Sequence, residues 1–117
     1  MDNFAPGDAE EWVVSVVASH GHGFFLRVRG ESMYNPDGEP SFRHGDLIQV
    51  EPTSWADNGS LVIVRMDDDK EATFKQLIME GERRYLKALN PSWPNRIIEV
   101  NGNATICGVV KAKVVRY

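Results

Sequence analysis

Leu61-Val-Ile-Val-Arg-Met66, the turn Asp67-Asp-Asp-Lys70 and Ala72-Thr-Phe-Lys-Gln-Leu-Ile-Met79 together read as a β-hairpin: two strand-like runs parted by a short polar reversal. Leu61-Val-Ile-Val64 is apolar at every position, the pattern of a central strand covered on both faces, although pattern alone also admits a buried helical turn. The second arm alternates with period two, which sets Thr73, Lys75, Leu77 and Met79 on one face. A lysine among those residues is either a side chain reaching for water or an amine held in an apolar place.

The same vocabulary extends in both directions. Short runs rich in β-branched and aromatic residues occupy 12–19, 24–29, 46–51, 61–66, 72–79, 83–89, 96–100 and 105–115, separated by turn residues. Asn58-Gly59 leads into the hairpin, and Gly81-Glu82 and Asn101-Gly102 are read as further hairpin turns. No stretch of ordinary helix length shows a 3.6-residue period, and there is no internal repeat or low-complexity tract. The expected fold is all-β, mainly antiparallel and a single domain. Residues 1–11 combine proline, glycine and acids without periodicity and read as the end of an interdomain linker, with the domain over 12–117.

A chain of 117 residues suits one core and is too short for two. No run is long and apolar enough to span a bilayer, and the acidic start, Met1 to Glu11, is unlike an export signal, so a cytoplasmic, membrane-free protein is expected. The single cysteine, Cys107, excludes an internal disulfide framework and reads as a small buried residue of the last strand. A net charge of −4 argues against this chain gripping DNA unaided, because phosphate contacts need clustered cations and Lys111, Lys113 and Arg116 make only a thin basic patch.

Two residues stand out as chemistry. Ser32, in Gly30-Glu-Ser-Met33, follows a strand directly, where the backbone turns and its N–H groups can converge on one point. A nucleophile there would have the Glu31 and Ser32 amides as donors to an oxyanion. Taken alone, a serine after a glycine is more often a turn former or a helix cap. It also needs a base. His20 and His22 fall in a glycine-rich loop and His44 in the turn Arg43-His-Gly45, so a lysine is the alternative. To accept a proton it must be neutral, its pKa brought down from ~10.4 by burial. Lys75 fits that demand.

Other groupings carry less. His20-Gly-His22 lacks a third ligand at a metal-binding spacing, and Asp67-Asp-Asp69 lacks the alternation and glycine of a calcium loop. Neither metal nor cofactor is expected. Trp93 and Tyr117 read either as interface aromatics or as lids over the core.

The ordered set of motifs resembles the LexA-like (S24-type) self-cleaving repressor peptidase domains, most closely the C-terminal domains of lambda-type phage repressors. The parallels run from Gly7-Asp-Ala-Glu-Glu-Trp-Val13 through Phe25-Leu-Arg-Val-Arg-Gly-Glu-Ser-Met33, Pro40-Ser-Phe-Arg-His-Gly-Asp-Leu-Ile48 and Gly59-Ser-Leu-Val-Ile-Val-Arg65. They continue in Thr73-Phe-Lys-Gln-Leu-Ile78, Leu89-Asn-Pro91 and Gly108-Val-Val-Lys111. The 43 residues from Ser32 to Lys75 match lambda-type spacing; LexA itself is tighter. The resemblance implies a signal-peptidase-like β fold, Ser32 as nucleophile, Lys75 as general base, and an oxyanion hole from the Glu31 and Ser32 amides. It further implies homodimers formed through the C-terminal part of the domain, able to build tetramers, and one cut in the protein's own chain, stimulated by the RecA filament on single-stranded DNA. Operator binding would belong to an N-terminal domain that this chain lacks.

Two departures qualify it. No Ala-Gly or Cys-Gly pair precedes Ser32, so the cleavage bond is expected upstream of Met1 and the chain is read as the cleaved or truncated product. His44 stands where relatives often carry an acid. Rival readings are a pure oligomerisation module with an idle Ser/Lys pair, a translesion-polymerase accessory protein of the same fold, and a leader or signal peptidase, the last opposed by the lack of a membrane segment.

Overall fold

The computed structural model describes residues 12–13, 23–68 and 70–115. The expected linker at 1–11, most of the first expected strand, His20 and His22, Asp69, Arg116 and Tyr117 lie outside the described residues. What is described is all β: β1 Trp12–Val13, β2 Phe24–Arg27, β3 Leu47–Pro52, β4 Leu61–Met66, β5 Ala72–Glu80, β6 Arg83–Lys87, β7 Ile97–Val100 and β8 Ala104–Val114. The strands form one sheet in the order β1-β2-β3-β8-β4-β5-β6-β7, every pairing antiparallel. No helix among the described residues is long and apolar enough to cross a membrane.

Side-chain alternation shows why these runs are strands. In β3, Ile48 and Val50 are buried while Gln49 and Glu51 face water. β4 lies between β8 and β5, as its uniformly apolar sequence requires, and Val62, Ile63 and Val64 are all at most 2% exposed. Its alternate residues serve two cores. Ile63 joins Leu26, Val28, Met33, Phe42, Ile48, Val50, Leu89 and Val110 on one side. Val62 and Val64 join Leu77, Leu86, Val100, Ile106 and Val109 on the other.

The β4–β5 reversal is the expected hairpin, and Gly81-Glu82 likewise turns β5 into β6. Asn101-Gly102 does something different from expectation. Its turn chemistry is as read, with Gly102 at φ 81° and the Asn101 N–H donating to Asn103 Oδ1 at 3.0 Å. Yet β7 stays at the sheet edge while β8 enters the middle between β3 and β4, so this turn begins a crossover. Turn residues specify a local reversal, not the partner of the next strand.

The sheet cannot be flat. Four strand spacings of about 4.8 Å part β2 from β5, about 19 Å in a planar sheet, yet Leu26 of β2 shares one core with Ile63 of β4, and Ala72 and Phe74 of β5 pack against that core. Register shifts at Gln49/Val50 against β8 and at Ile63/Val64 against β8 bend the central strands. The tightest point is Gly108 on β8. A Cβ there would stand 2.5 Å from Val50 Cγ1 and 3.0 Å from the Glu51 carbonyl oxygen, and Val50 is fully buried. Gly108→Ala is therefore expected to lower unfolding stability by about 1–3 kcal/mol, measured by denaturant titration. A variant as stable as the parent would show that the close approach of β3 and β8 is not required.

Candidate active site

Beyond Arg27 the chain leaves the sheet but stays tied to it. Val28 N–H donates to the Asp46 carbonyl at 2.8 Å and Gly45 N–H returns a bond to the Val28 carbonyl at 2.8 Å, so the turn Arg43 to Asp46 continues the ladder. Gly30 then takes a φ of 81°, a left-handed conformation that a side chain disfavours, and redirects the backbone. A β-turn follows, closed by Tyr34 N–H to the Glu31 carbonyl at 3.1 Å, with Ser32 and Met33 at its centre. Met33 is 1% exposed and anchors the turn in the first core.

The carbonyls of this turn are occupied. Asn90 Nδ2 donates to the Glu31 carbonyl at 3.0 Å, and the Asn90 backbone N–H donates to the Ser32 carbonyl at 3.0 Å. Ser92 N–H in turn holds Asn90 Oδ1 at 2.9 Å, which fixes the amide orientation. Among the described residues no hydrogen bond takes up the Glu31 or Ser32 N–H groups. The two amides named from sequence are thus spare donors beside the Ser32 hydroxyl.

Lys75 comes from the other half of the sheet. It pairs with Val62 and its neighbour Thr73 with Val64, so both side chains share the face of two fully buried valines. Lys75 Nζ donates to Ser32 Oγ at 3.3 Å, Thr73 Oγ1 at 3.2 Å and the Phe74 carbonyl at 3.3 Å. Burial of the half-exposed side chain lowers its pKa below the ordinary lysine value. Two aromatic rings stabilise the meeting: Phe42, in the first core with Met33, stacks edge-to-face on Phe74 with centroids 4.9 Å apart.

A cleft of about 870 Å³ opens at Ser32, floored by buried Leu26, Val28, Met33, Ile48 and Ile63, with Thr73 and Phe74 on one wall. Exposed Arg29, His44, Lys70 and Glu71 also line it. Its floor is apolar, its rim carries charged side chains, and Ser32 is among the residues that line it.

The remaining residues singled out from sequence lie apart. Cys107, half-buried on β8, packs against the first core, and burial raises its thiol pKa. Trp93 follows Asn90 in a loop and is partly exposed. No group of three or more metal-ligating side chains is assembled among the described residues. Sequence reading missed the role of Asn90, which appeared only inside Leu89-Asn-Pro91, and the acceptor role of Thr73. His44, passed over as a base and noted as a departure, accepts the Gly30 N–H through Nδ1 at 2.9 Å.

The chain is 48% identical over 116 residues to an HTH-type transcriptional regulator for the conjugative element SXT from Vibrio cholerae, which covers 99% of this chain and 53% of that protein. It is 43% identical over 101 residues to repressor protein C2 of Salmonella phage P22, covering 86% and 45%. To a LexA repressor of Geotalea uraniireducens (strain Rf4) it is 40% identical over 88 residues, covering 74% and 41%. The chain therefore spans about half the length of the curated relatives it matches. A model of the family described as Peptidase S24-like matches residues 2–111, and the chain belongs to that family.

Proposed function

We propose that this chain is the C-terminal domain of a phage-type transcriptional repressor, a Ser/Lys peptidase that cuts its own polypeptide once and so inactivates the repressor. The observation that carries the reading is the 3.3 Å contact between Lys75 Nζ and Ser32 Oγ, with the amine drawn out of water. Relatives named as repressors supply the setting. In this reading 1–11 is the end of the interdomain linker and 12–117 the peptidase and dimerisation domain. DNA binding belongs to an N-terminal domain, and the RecA filament on single-stranded DNA promotes the cut.

The chemistry follows from the donors and acceptors at hand. As an ammonium, Lys75 has three N–H donors for its three partners. As a neutral amine it has two donors and one lone pair. The Phe74 carbonyl can only accept, and Thr73 Oγ1 is free to accept, so the two remaining N–H groups stay where they are and the lone pair turns to Ser32. Ser32 Oγ–H then donates to Nζ. Lys75 takes that proton as Oγ attacks the scissile carbonyl carbon, and the Glu31 and Ser32 amides receive the oxyanion. The proton passes to the departing amine, and water later hydrolyses the acyl-serine. Loss of the linkage between DNA-binding domains and the dimerising domain weakens paired operator binding.

Cleavage in trans tests the mechanism: this domain mixed with a peptide bearing an Ala-Gly bond between apolar flanks, across neutral to alkaline pH. The rate is expected to rise with pH as Lys75 loses its proton, and to vanish in Ser32→Ala and Lys75→Ala. Because trans cleavage can fail through weak peptide binding alone, self-cleavage of the full-length repressor decides: cutting that persists in Ser32→Ala overturns the dyad, and an intact parent under both RecA and alkaline conditions leaves an oligomerisation module.

Lys75 also has a stability signature. Its pKa is depressed in the folded state, so between the folded and unfolded values the unfolded chain holds more protons and stability rises with pH. The penalty for burying the amine is complete below the folded value, shrinks as pH rises from the folded to the unfolded value, and is gone above the unfolded value, so at pH 7 it has not been removed. Lys75→Met is expected to unfold at higher denaturant concentration than the parent at pH 7 while losing all cleavage. For assembly, sedimentation equilibrium should find dimers or larger species at micromolar concentration, and a strict monomer would remove that part of the reading.

A further inference from the structure

We infer that His44 is a positioning residue for the serine turn, acting as a neutral imidazole whose Nδ1 accepts the Gly30 N–H and so sets the direction of the backbone two residues before Ser32. The inference rests on the peptidase reading above and adds to it a residue that the Ser/Lys pair does not require.

The bond fixes more than a distance. A backbone N–H can only donate, so the 2.9 Å contact requires a lone pair on Nδ1 and puts the ring proton on Nε2. An imidazolium, with hydrogens on both nitrogens, cannot make this bond. Gly30 is the residue at which the chain turns, at φ 81°, and with no side chain it has nothing of its own to hold that conformation. The amides that follow it, Glu31 and Ser32, are the spare donors beside the Ser32 hydroxyl. Their direction depends on how the Gly30 peptide is held.

His44 is itself well placed to hold it. Its turn is braced by Arg43 N–H to Asp46 Oδ2 at 2.8 Å, by Asp46 N–H to the Arg43 carbonyl at 3.0 Å and by Arg27 donating to the Gly45 carbonyl at 3.0 Å. The turn is therefore a fixed post alongside the strand end. Asn90 secures the far side of the loop through the Glu31 and Ser32 carbonyls. Between these two supports the serine turn is gripped at Gly30 by its N–H and at the next two residues by their carbonyls. Such two-sided support is what a preorganised oxyanion site needs, because a donor displaced by a fraction of an ångström loses most of its value at the transition state.

The test uses the full-length repressor and two readouts. His44→Ala removes the acceptor and is expected to slow self-cleavage about five- to tenfold, the value of one hydrogen bond expressed as a rate. His44→Asn and His44→Asp each place an oxygen near the former Nδ1 and are expected to restore the rate to within about twofold of the parent. His44→Phe keeps ring bulk without an acceptor and should behave as the alanine variant. Independently of activity, a through-hydrogen-bond coupling between the Gly30 amide nitrogen and His44 Nδ1 should be visible by nuclear magnetic resonance in the labelled domain. Equal rates for the parent, alanine and phenylalanine variants, with the parent cleaving normally, overturn the role of His44. A phenylalanine variant that restores the rate shows bulk to be what matters and overturns it too, as does absence of the coupling. A parent that never cleaves, with the coupling present, defeats the peptidase reading and leaves His44 only as a support of the turn.

Discussion

The meeting of Ser32 and Lys75 depends on the curl of a single sheet. In sheet order β3, β8 and β4 stand between the strand that leads to Ser32 and the strand that carries Lys75. Two register shifts and the close approach at Gly108 let those central strands bend. The central position shows in sequence: β4 from Leu61 to Val64 and β8 from Ile106 to Val110 are apolar on both faces, because the bend leaves one core on either side of them. The Phe42–Phe74 contact then locks the serine loop against β5. The cleft is a consequence of the same curl, since its floor is the first core seen from the gap between the end of β2 and the start of β5.

Hydrogen-bond direction, more than distance, distinguishes the serine turn from an ordinary one. A turn that merely reverses the chain has no reason to have its carbonyls taken by a distant side chain and its amides left open. Here Asn90 and Tyr34 fill the carbonyls of Glu31 and Ser32, and the N–H groups of the same two residues are unclaimed among the described residues. Unpaired donors are costly when buried, and the exposure of Glu31 lets water serve in place of a ligand. The arrangement is tolerable at rest and leaves both N–H groups free for the oxyanion of the proposed mechanism.

Much of this was legible in the sequence, and what was not has a physical reason. Strand positions were readable because burial imposes a period on side chains, and β4 was readable as central because it breaks that period with apolar residues throughout. Ser32 at a strand end and Lys75 within an apolar strand were readable as candidates, the family resemblance joined them, and the structure brings their side chains to 3.3 Å. The order of strands was not, because antiparallel pairing leaves no mark in a strand's own composition; Asn101-Gly102 looks like a hairpin and begins a crossover. Asn90 and His44 escaped for a related reason. Each recognises backbone, and a backbone carbonyl or N–H has no sequence identity with which a partner's spacing could be correlated.

Lys75 shows how a fold can keep a group that its own stability disfavours. Packing alone would place an apolar side chain beside Val62, since nothing in the face it shares with Val64 asks for a charge. What keeps the amine tolerable is the match of its partners to both protonation states. Three acceptors suit the ammonium, and when the proton leaves only the Ser32 contact reverses, while Thr73 and the Phe74 carbonyl retain the remaining hydrogens. Proton loss thus needs no rearrangement of the strand. In the proposed mechanism the cost of activating the serine is confined to the desolvation that lowers the lysine pKa, a cost offset by the two cores on either side of β4.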